Sequence, residues 1–222
     1  MINNLETTLR HRFRLMRLIN DHLMTSDCEI ECDLAITLAS DPNEIQLRLS
    51  AMKLWLEDFV DNSIAYDPMT ELETDWLDLL HNNVIMTPGD PRDHIILAVL
   101  HSKLSTIGGS VVSINKTHFI TDTSHGFSNS MTGSAEEWLP SMGEWIGQRH
   151  FHKTPWWQRA DASSIDLCPG PDDDLTAIPD LGMDLVDMMR DDNTPTSAQS
   201  EVKNADIIKP VFKPRIVVAD DD

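Results

Sequence analysis

Apolar residues spaced three and four apart open this chain, and this spacing constrains its fold more than any other feature. They are Leu5, Leu9, Phe13, Met16, Ile19 and Leu23. Because an α-helix brings positions three and four apart onto one face, the spacing predicts an amphipathic helix over residues 4–24. The apolar segment from Cys32 to Ala39 is predicted to form a second, shorter helix.

Aspartate followed by proline marks the start of two further helices, since aspartate caps a helix N-terminus and proline fits its first position. One helix begins at Asp41-Pro42 and the other at Asp90-Pro91, and Gly108-Gly109 ends the latter. Residues 70–73 have the spacing of a capping box, with Thr first and Glu last, and predict one more helix.

From Ser110 to Asp122 the apolar pattern changes from a helical to an extended period. Val112 and Ile114 alternate with polar residues, and Asn115-Lys116 is suited to a turn. The segment therefore predicts a short β-hairpin.

The fold class expected from these elements is α+β and mainly α. We predict a helical region at residues 1–84 and a mixed region at residues 85–168 that holds the hairpin. A tail follows at residues 169–222. It is predicted to be extended or disordered, because the composition turns to proline, glycine and acidic residues after Cys168.

Tryptophans concentrate towards the end of the mixed region. Trp156 and Trp157 lie beside Arg159, a combination that can stack on a sugar or a base while the arginine reaches a phosphate or carboxylate. In an extended backbone adjacent side chains point to opposite sides, so one ring is expected in the core and the other against a partner. The alternative is that both rings only fix this segment to the helices.

Two histidines in the same region suggest a metal site. His150 and His152 would point the same way on a strand, and Asp161, Asp166 or His125 would complete a site for zinc, iron or manganese. The alternative is that both histidines lie at a solvated surface, in which case no cofactor is expected.

The basic residues near the start of the chain are Arg10, Arg12, Arg14 and Arg17. They are expected on a solvated helix face, paired with acids of the same protein or of a neighbouring copy, with nucleic acid contact as the alternative. The formal charge of the whole chain is -20, which opposes binding to nucleic acid or to anionic lipid.

The cysteine count and the hydropathy pattern indicate a location. Three cysteines without the spacing of a disulfide framework are typical of a reducing compartment. The chain has neither a signal-peptide pattern nor a run near the roughly 20 apolar residues that span a bilayer. We expect a soluble, intracellular protein that does not enter a membrane.

The segment Ile207 to Val218 is apolar and β-prone, and its two prolines restrict it to the edge of a sheet. We expect it to dock as an added strand, with Phe212 in an apolar pocket, and a disordered end is the alternative.

The function expected from these features is that of a non-enzymatic interaction or assembly protein within a larger complex. It would bind other protein subunits through the tryptophan-rich segment and the tail. Two alternatives stay open: a metal-dependent hydrolase that uses His150 and His152, and an acidic inhibitor that mimics nucleic acid.

Overall fold

The computed structural model describes residues 4–20, 22–68, 83–135, 137–140, 154–166 and 184–191. A mixed six-stranded β-sheet lies at its centre, with the strand order β4-β3-β1-β2-β5-β6. The strands are β1 (Asn4–Ile19), β2 (His22–Thr37), β3 (Ser63–Tyr66), β4 (Val84–Met86), β5 (Val112–Thr121) and β6 (Asn129–Thr132). The α-helices are α1 (Pro42–Trp55), α2 (Asp93–Gly108) and α3 (Leu185–Asp191).

The prediction of a mainly α fold with a helical region at residues 1–84 is wrong. Strands β1 and β2 form a long antiparallel hairpin whose register runs unbroken from Asn4 opposite Thr37 to Ile19 opposite His22. Side chains of β1 are buried at every second position around Phe13 and Leu15 and exposed between them. This period of two belongs to a strand with one buried face, so the three- and four-residue spacing of the larger apolar residues was misleading.

The two helices predicted from Asp-Pro signals are present. Asp41 caps α1, and its carboxylate accepts a hydrogen bond of 3.0 Å from the Asn43 N–H. Helix α2 begins at Asp93 rather than at Pro91. It ends at Gly108 and is followed by Gly109, whose φ of 59° lies in the left-handed region that favours glycine. The capping box at residues 70–73 lies outside the described residues.

The hairpin predicted within residues 110–122 is wrong, because these residues form the single strand β5. It pairs with β2, and the register shifts so that Lys116 faces Asp33 while Ile114 faces Leu34. Asn115 is therefore the extra residue of a β-bulge, which explains why Asn115-Lys116 resembled a turn. The partner of β5 in a hairpin is β6.

Helices α1 and α2 cover the inner face of the sheet, and the core between them includes Ile30, Trp55, Leu100 and Phe119, all fully buried. The sheet runs across the predicted boundary at residues 84 and 85, since β2 pairs with β5 and β3 pairs with β4. Within the predicted tail, α3 packs against α1. None of the helices in the described part of the chain is long and apolar enough to cross a membrane.

Candidate functional site

A buried lysine of α2 organises the segment that contains the paired tryptophans. The side chain of Lys103 is fully buried, and its ammonium group donates three hydrogen bonds. The acceptors are the carbonyl of Trp156 at 3.1 Å, the carbonyl of Arg159 at 2.8 Å and the Asp161 carboxylate at 3.2 Å. All three donors of the ammonium are thus used to hold residues 156–161 against α2.

Both predicted tryptophans are buried in this arrangement. Trp156 and Trp157 are 0% exposed, because the backbone forms a 3-10 turn over Trp156–Gln158 rather than an extended segment. The rings meet edge to face at 5.6 Å, and Trp156 stacks on Trp55 at 6.1 Å. The Trp156 indole N–H also donates to the Met86 carbonyl at 2.9 Å. The expected division into one core ring and one partner-facing ring is therefore not seen.

Arg159 lies with its guanidinium among carboxylates and hydroxyls of its own segment. It pairs with Asp166 at 2.7 Å and with Asp161 at 3.3 Å, and it donates to the Ser163 hydroxyl at 2.8 Å. Asp166 in turn accepts a hydrogen bond from the Trp156 backbone N–H at 2.9 Å. Arg159 closes the loop of residues 154–166 on itself rather than extending towards a ligand.

The pKa values of the cluster reflect its burial. Burial lowers the pKa of Lys103 to about 8, although the Asp161 carboxylate opposes this effect. Burial alone would raise the pKa of Asp161, but hydrogen bonds from Ser163 and the charges of Lys103 and Arg159 outweigh it, and the pKa is lowered. The two groups form a buried ion pair that is shielded from solvent.

Lys103 was not predicted to be a buried charged residue, although the sequence contains a signal for it. It lies four residues after Val99 and four before Ile107, on the apolar stripe of α2. A lysine on a buried stripe requires a buried counter-charge, because an unpaired ammonium is costly to remove from water. The identity of that partner, Asp161, depends on a contact between residues 58 positions apart.

His101 is a buried histidine of α2, and both of its ring nitrogens are engaged. Nε2 lies 2.8 Å from the Gly133 carbonyl, which can only accept, so Nε2 carries the proton. Nδ1 then accepts from the Thr117 hydroxyl at 2.7 Å. Burial lowers the pKa of His101, which favours this neutral form. The ring joins the helix to the sheet and has no free nitrogen for proton transfer.

The predicted metal ligands are not brought together in the described residues. His150 and His152 lie outside them, as does Phe212, which was predicted to bind a partner. Both carboxylate oxygens of Asp161 are engaged by Lys103, Arg159 or Ser163. Among the residues that the structure describes, no group of three His, Cys, Asp or Glu is placed to hold a metal ion.

The two described cysteines are packed as apolar residues. Cys28 and Cys32 point to the buried face of β2, where their α-carbons are about 13 Å apart along the strand. Burial raises the pKa of Cys28 to about 12 and that of Cys32 to about 11, so both thiols stay protonated.

The outer face of the sheet carries a ladder of charge pairs between β1 and β2. Each arginine lies directly opposite its acid in the strand register. The pairs are Arg10–Glu31 at 2.8 Å, Arg12–Glu29 at 2.7 Å and Arg14–Asp27 at 3.1 Å. Cross-strand pairs of opposite charge stabilise a sheet modestly, and they neutralise the basic cluster that suggested nucleic acid contact.

Arg17 differs from the other three arginines because it points to the buried side of β1. Its side chain is 4% exposed, and its guanidinium pairs with Asp93 at the start of α2. It also donates to the Ser26 hydroxyl at 2.6 Å and to the Thr123 hydroxyl at 2.9 Å. Arg17 therefore joins helix to sheet and is not available to a phosphate.

The edge of β1 that faces away from β2 is open over most of its length. Strand β3 pairs with β1 only at residues 15–17. The Arg14 N–H donates to Asp61 and the Arg14 carbonyl accepts from the Asn62 N–H, both at 2.8 Å, so the backbone of Arg14 points to this edge. Strand geometry then directs the backbone groups of Arg12, Arg10, Thr8 and Glu6 to the same edge.

No residue in the described ranges pairs with this edge before Arg14. From Asn4 to Phe13 the open edge is about 30 Å long at the usual strand rise. At its outer end the side chain of Leu5 is 52% exposed. Long open edges are templates for pairing with another strand, and natural proteins normally cover them or interrupt them.

The comparisons with known proteins identify no family. No protein-family model matches the chain, and no curated protein matches it. One solved structure with some similarity is an uncharacterized protein from Wolinella succinogenes, at 11% sequence identity and a TM-score of 0.40. That similarity covers 59% of this chain and 99% of the other, and it is too low to support an argument about function.

Proposed function

We propose that this chain is a non-enzymatic assembly protein that binds other protein chains by adding their strands to the open edge of β1. The observation that supports the proposal is the edge of β1 from Asn4 to Phe13 that faces away from β2, which pairs with no strand in the described part of the chain. Strand addition draws its affinity from main-chain hydrogen bonds and its specificity from alternate side chains.

The charged residues of the buried cluster bind one another, and this also favours a binding role over catalysis. Lys103, Asp161 and Arg159 have the residue types of an active site, yet they contact one another and are largely shielded from water. A catalytic acid or base must lie within hydrogen-bond reach of its substrate. The cluster instead positions the tryptophan-containing segment.

The binding surface proposed here differs from the one expected from the sequence. The rings of Trp156 and Trp157 are enclosed by α2 and by residues of the core, so they cannot contact a partner. We therefore propose the β1 edge as the binding surface instead. A role for the tail through Phe212 stays a prediction, because residue 212 lies outside the described residues.

Nucleic acid mimicry has one supporting feature and one opposing feature. Asp27, Glu29, Glu31 and Asp33 follow one another on the outer face of β2, as a mimic would require. However, arginines of β1 pair with the first three of these acids, and Lys116 of β5 lies opposite Asp33. This face is close to neutral, so the assembly role is the better supported of the two.

A variant that blocks only the open edge tests the proposed function. Thr8→Pro removes an N–H that points away from β2, so the hairpin itself keeps its hydrogen bonds. Thr8→Val keeps that N–H and is the matched control. In extracts of cells that naturally contain the protein, gel filtration should place the wild type and Thr8→Val above the mass of one 25.1 kDa chain.

Thr8→Pro should shift the protein to the elution volume of a single chain. Elution of the wild type as a single chain would contradict the proposal, and so would an unchanged elution volume for Thr8→Pro.

A further inference from the structure

We infer that the strand added to the β1 edge is β1 of a second copy of this chain, in antiparallel orientation about a two-fold axis at Thr8. This inference rests on the proposed function and names its partner. It is carried by the open edge together with the order of charges along that edge.

The charge order selects the register. Glu6, Thr8, Arg10 and Arg12 share the outer face and also direct their backbones to the open edge. An axis at Thr8 places Glu6 of each copy opposite Arg10 of the other, which creates two ion pairs. An axis at Glu6 places glutamate opposite glutamate, which is unfavourable. An axis at Arg10 places arginine opposite arginine, and its Glu6–Arg14 pairs would require the Arg14 backbone, which is already bonded to Asp61 and Asn62.

An axis at Leu9 would also give Glu6 a cation, namely Arg12 of the other copy. That register, however, brings Asn4 of one copy to Arg14 of the other, whose backbone is already bonded to Asp61 and Asn62. The axis at Thr8 pairs every position from Asn4 to Arg12 and stops before Arg14. It is the register that uses the whole open edge.

The side chains at this edge also lack partners that a second copy would supply. Glu6 has no ion pair among the described residues, whereas Arg10, Arg12 and Arg14 each have one. On the inner face, the axis at Thr8 places Leu5, which is half exposed, opposite His11. Contact with Leu5 of the other copy would extend the covered apolar surface at this end.

Charge reversal provides the decisive test, performed with purified full-length protein by sedimentation velocity over a concentration series. The wild type should sediment as a dimer of the 25.1 kDa chain. Glu6→Arg and Arg10→Glu should each weaken dimerisation on the order of 100-fold, because each replaces two opposite-charge pairs with two like-charge pairs. An equimolar mixture of the two variants should restore a dimer, since positions 6 and 10 of one variant then face opposite charges on the other variant.

Arg12→Glu is the matched control for the register. It carries the same charge change two residues away, but Arg12 lies opposite Asn4 when the axis is at Thr8. Arg12→Glu alone should therefore dimerise as the wild type does. A monomeric Arg12→Glu together with a dimeric Arg10→Glu would overturn the register in favour of an axis at Leu9. Circular dichroism and thermal melting of each variant establish that it is folded.

Other results distinguish this inference from the proposed function. A monomeric wild type that still forms an edge-dependent complex in cell extracts would refute self-pairing and leave the assembly role intact. Hydrogen exchange gives a second such result. If the wild type is monomeric and its Thr8 and Arg10 amides resist exchange until residues 192–222 are deleted, self-pairing is refuted. The edge would then be assigned to the chain's own tail. A dimer that Thr8→Pro leaves unchanged would refute pairing through β1.

Discussion

Truncating Trp156 to alanine is expected to lower the free energy of unfolding by about 3–5 kcal/mol, as found for large aromatic side chains in protein cores. A buried tryptophan removes about 150–250 Å² from water, which at about 25 cal/mol per Å² contributes about 4–6 kcal/mol. The unfolded chain already buries part of that surface, which reduces the figure by about 10–40%. The two estimates therefore agree.

Urea unfolding followed by circular dichroism measures this loss, and Trp138 supplies the matched control. Trp138 is 59% exposed whereas Trp156 is fully buried, so Trp138→Ala should change stability by no more than about 0.5 kcal/mol. Trp156→Phe keeps most of the buried area but removes the donor to Met86, and should cost about 1–2 kcal/mol. Equal effects of Trp156→Ala and Trp138→Ala would refute the packing described for residues 154–166.

Three further predictions concern charged groups. Because burial lowers the pKa of Lys103 to about 8 from 10.5, the unfolded chain binds the proton more tightly, so stability should rise by about 3 kcal/mol from pH 8 to pH 10.5. Urea midpoints of Lys103→Met should lack this rise. Arg17→Met should cost about 1.5–3 kcal/mol in urea unfolding, because it removes a buried guanidinium that pairs with the partly exposed Asp93 and bonds to Ser26 and Thr123. Arg12→Met, at an exposed pair, should cost less than about 1 kcal/mol. Asp41→Ala should lower the thermal stability of α1 by about 1 kcal/mol through loss of its cap, and an unchanged melting temperature would contradict the capping role.

Helix α1 could be predicted from the sequence because its signals are local. Asp41 and Pro42 act within the first turn of the helix, and neither needs a distant partner. The signal at Gly109 that ends α2 is local in the same way. These helix boundaries are found in the structure as predicted because no tertiary contact in the described part of the chain favours a different conformation there.

Strand β1 could not be predicted in the same way because its conformation depends on β2. Leu9, Phe13 and Met16 fit a helical stripe, and no local signal opposes a helix strongly enough. A strand signal was nevertheless present, in the arginines at positions 10, 12 and 14, which alternate with less polar residues. Their partners lie between 13 and 21 residues away, so the pairing that fixes the strand is visible only in the fold.

The proposed binding surface on the β1–β2 hairpin was likewise predictable only in part. The arginines were expected at a solvated face paired with acids, and three of them are so placed, on a strand rather than a helix. The open edge of β1 had no counterpart in the sequence, because an edge exists only once strand order is known. Lys103 and Asp161 escaped prediction because their meeting depends on the path of the chain between them.

The place of the β1–β2 hairpin in the sheet has a consequence for synthesis. The hairpin is formed by early residues and can close in about 1–10 μs, yet β5, which covers the far side of β2, begins about 75 residues after Thr37. At about 5–20 residues per second, the ribosome needs about 4–15 s to supply that strand. During this interval the edge of β2 that β5 covers is open in the nascent chain. The charge ladder on the outer face of the hairpin is complete from the start, so it can hold the register of the hairpin until β5 arrives.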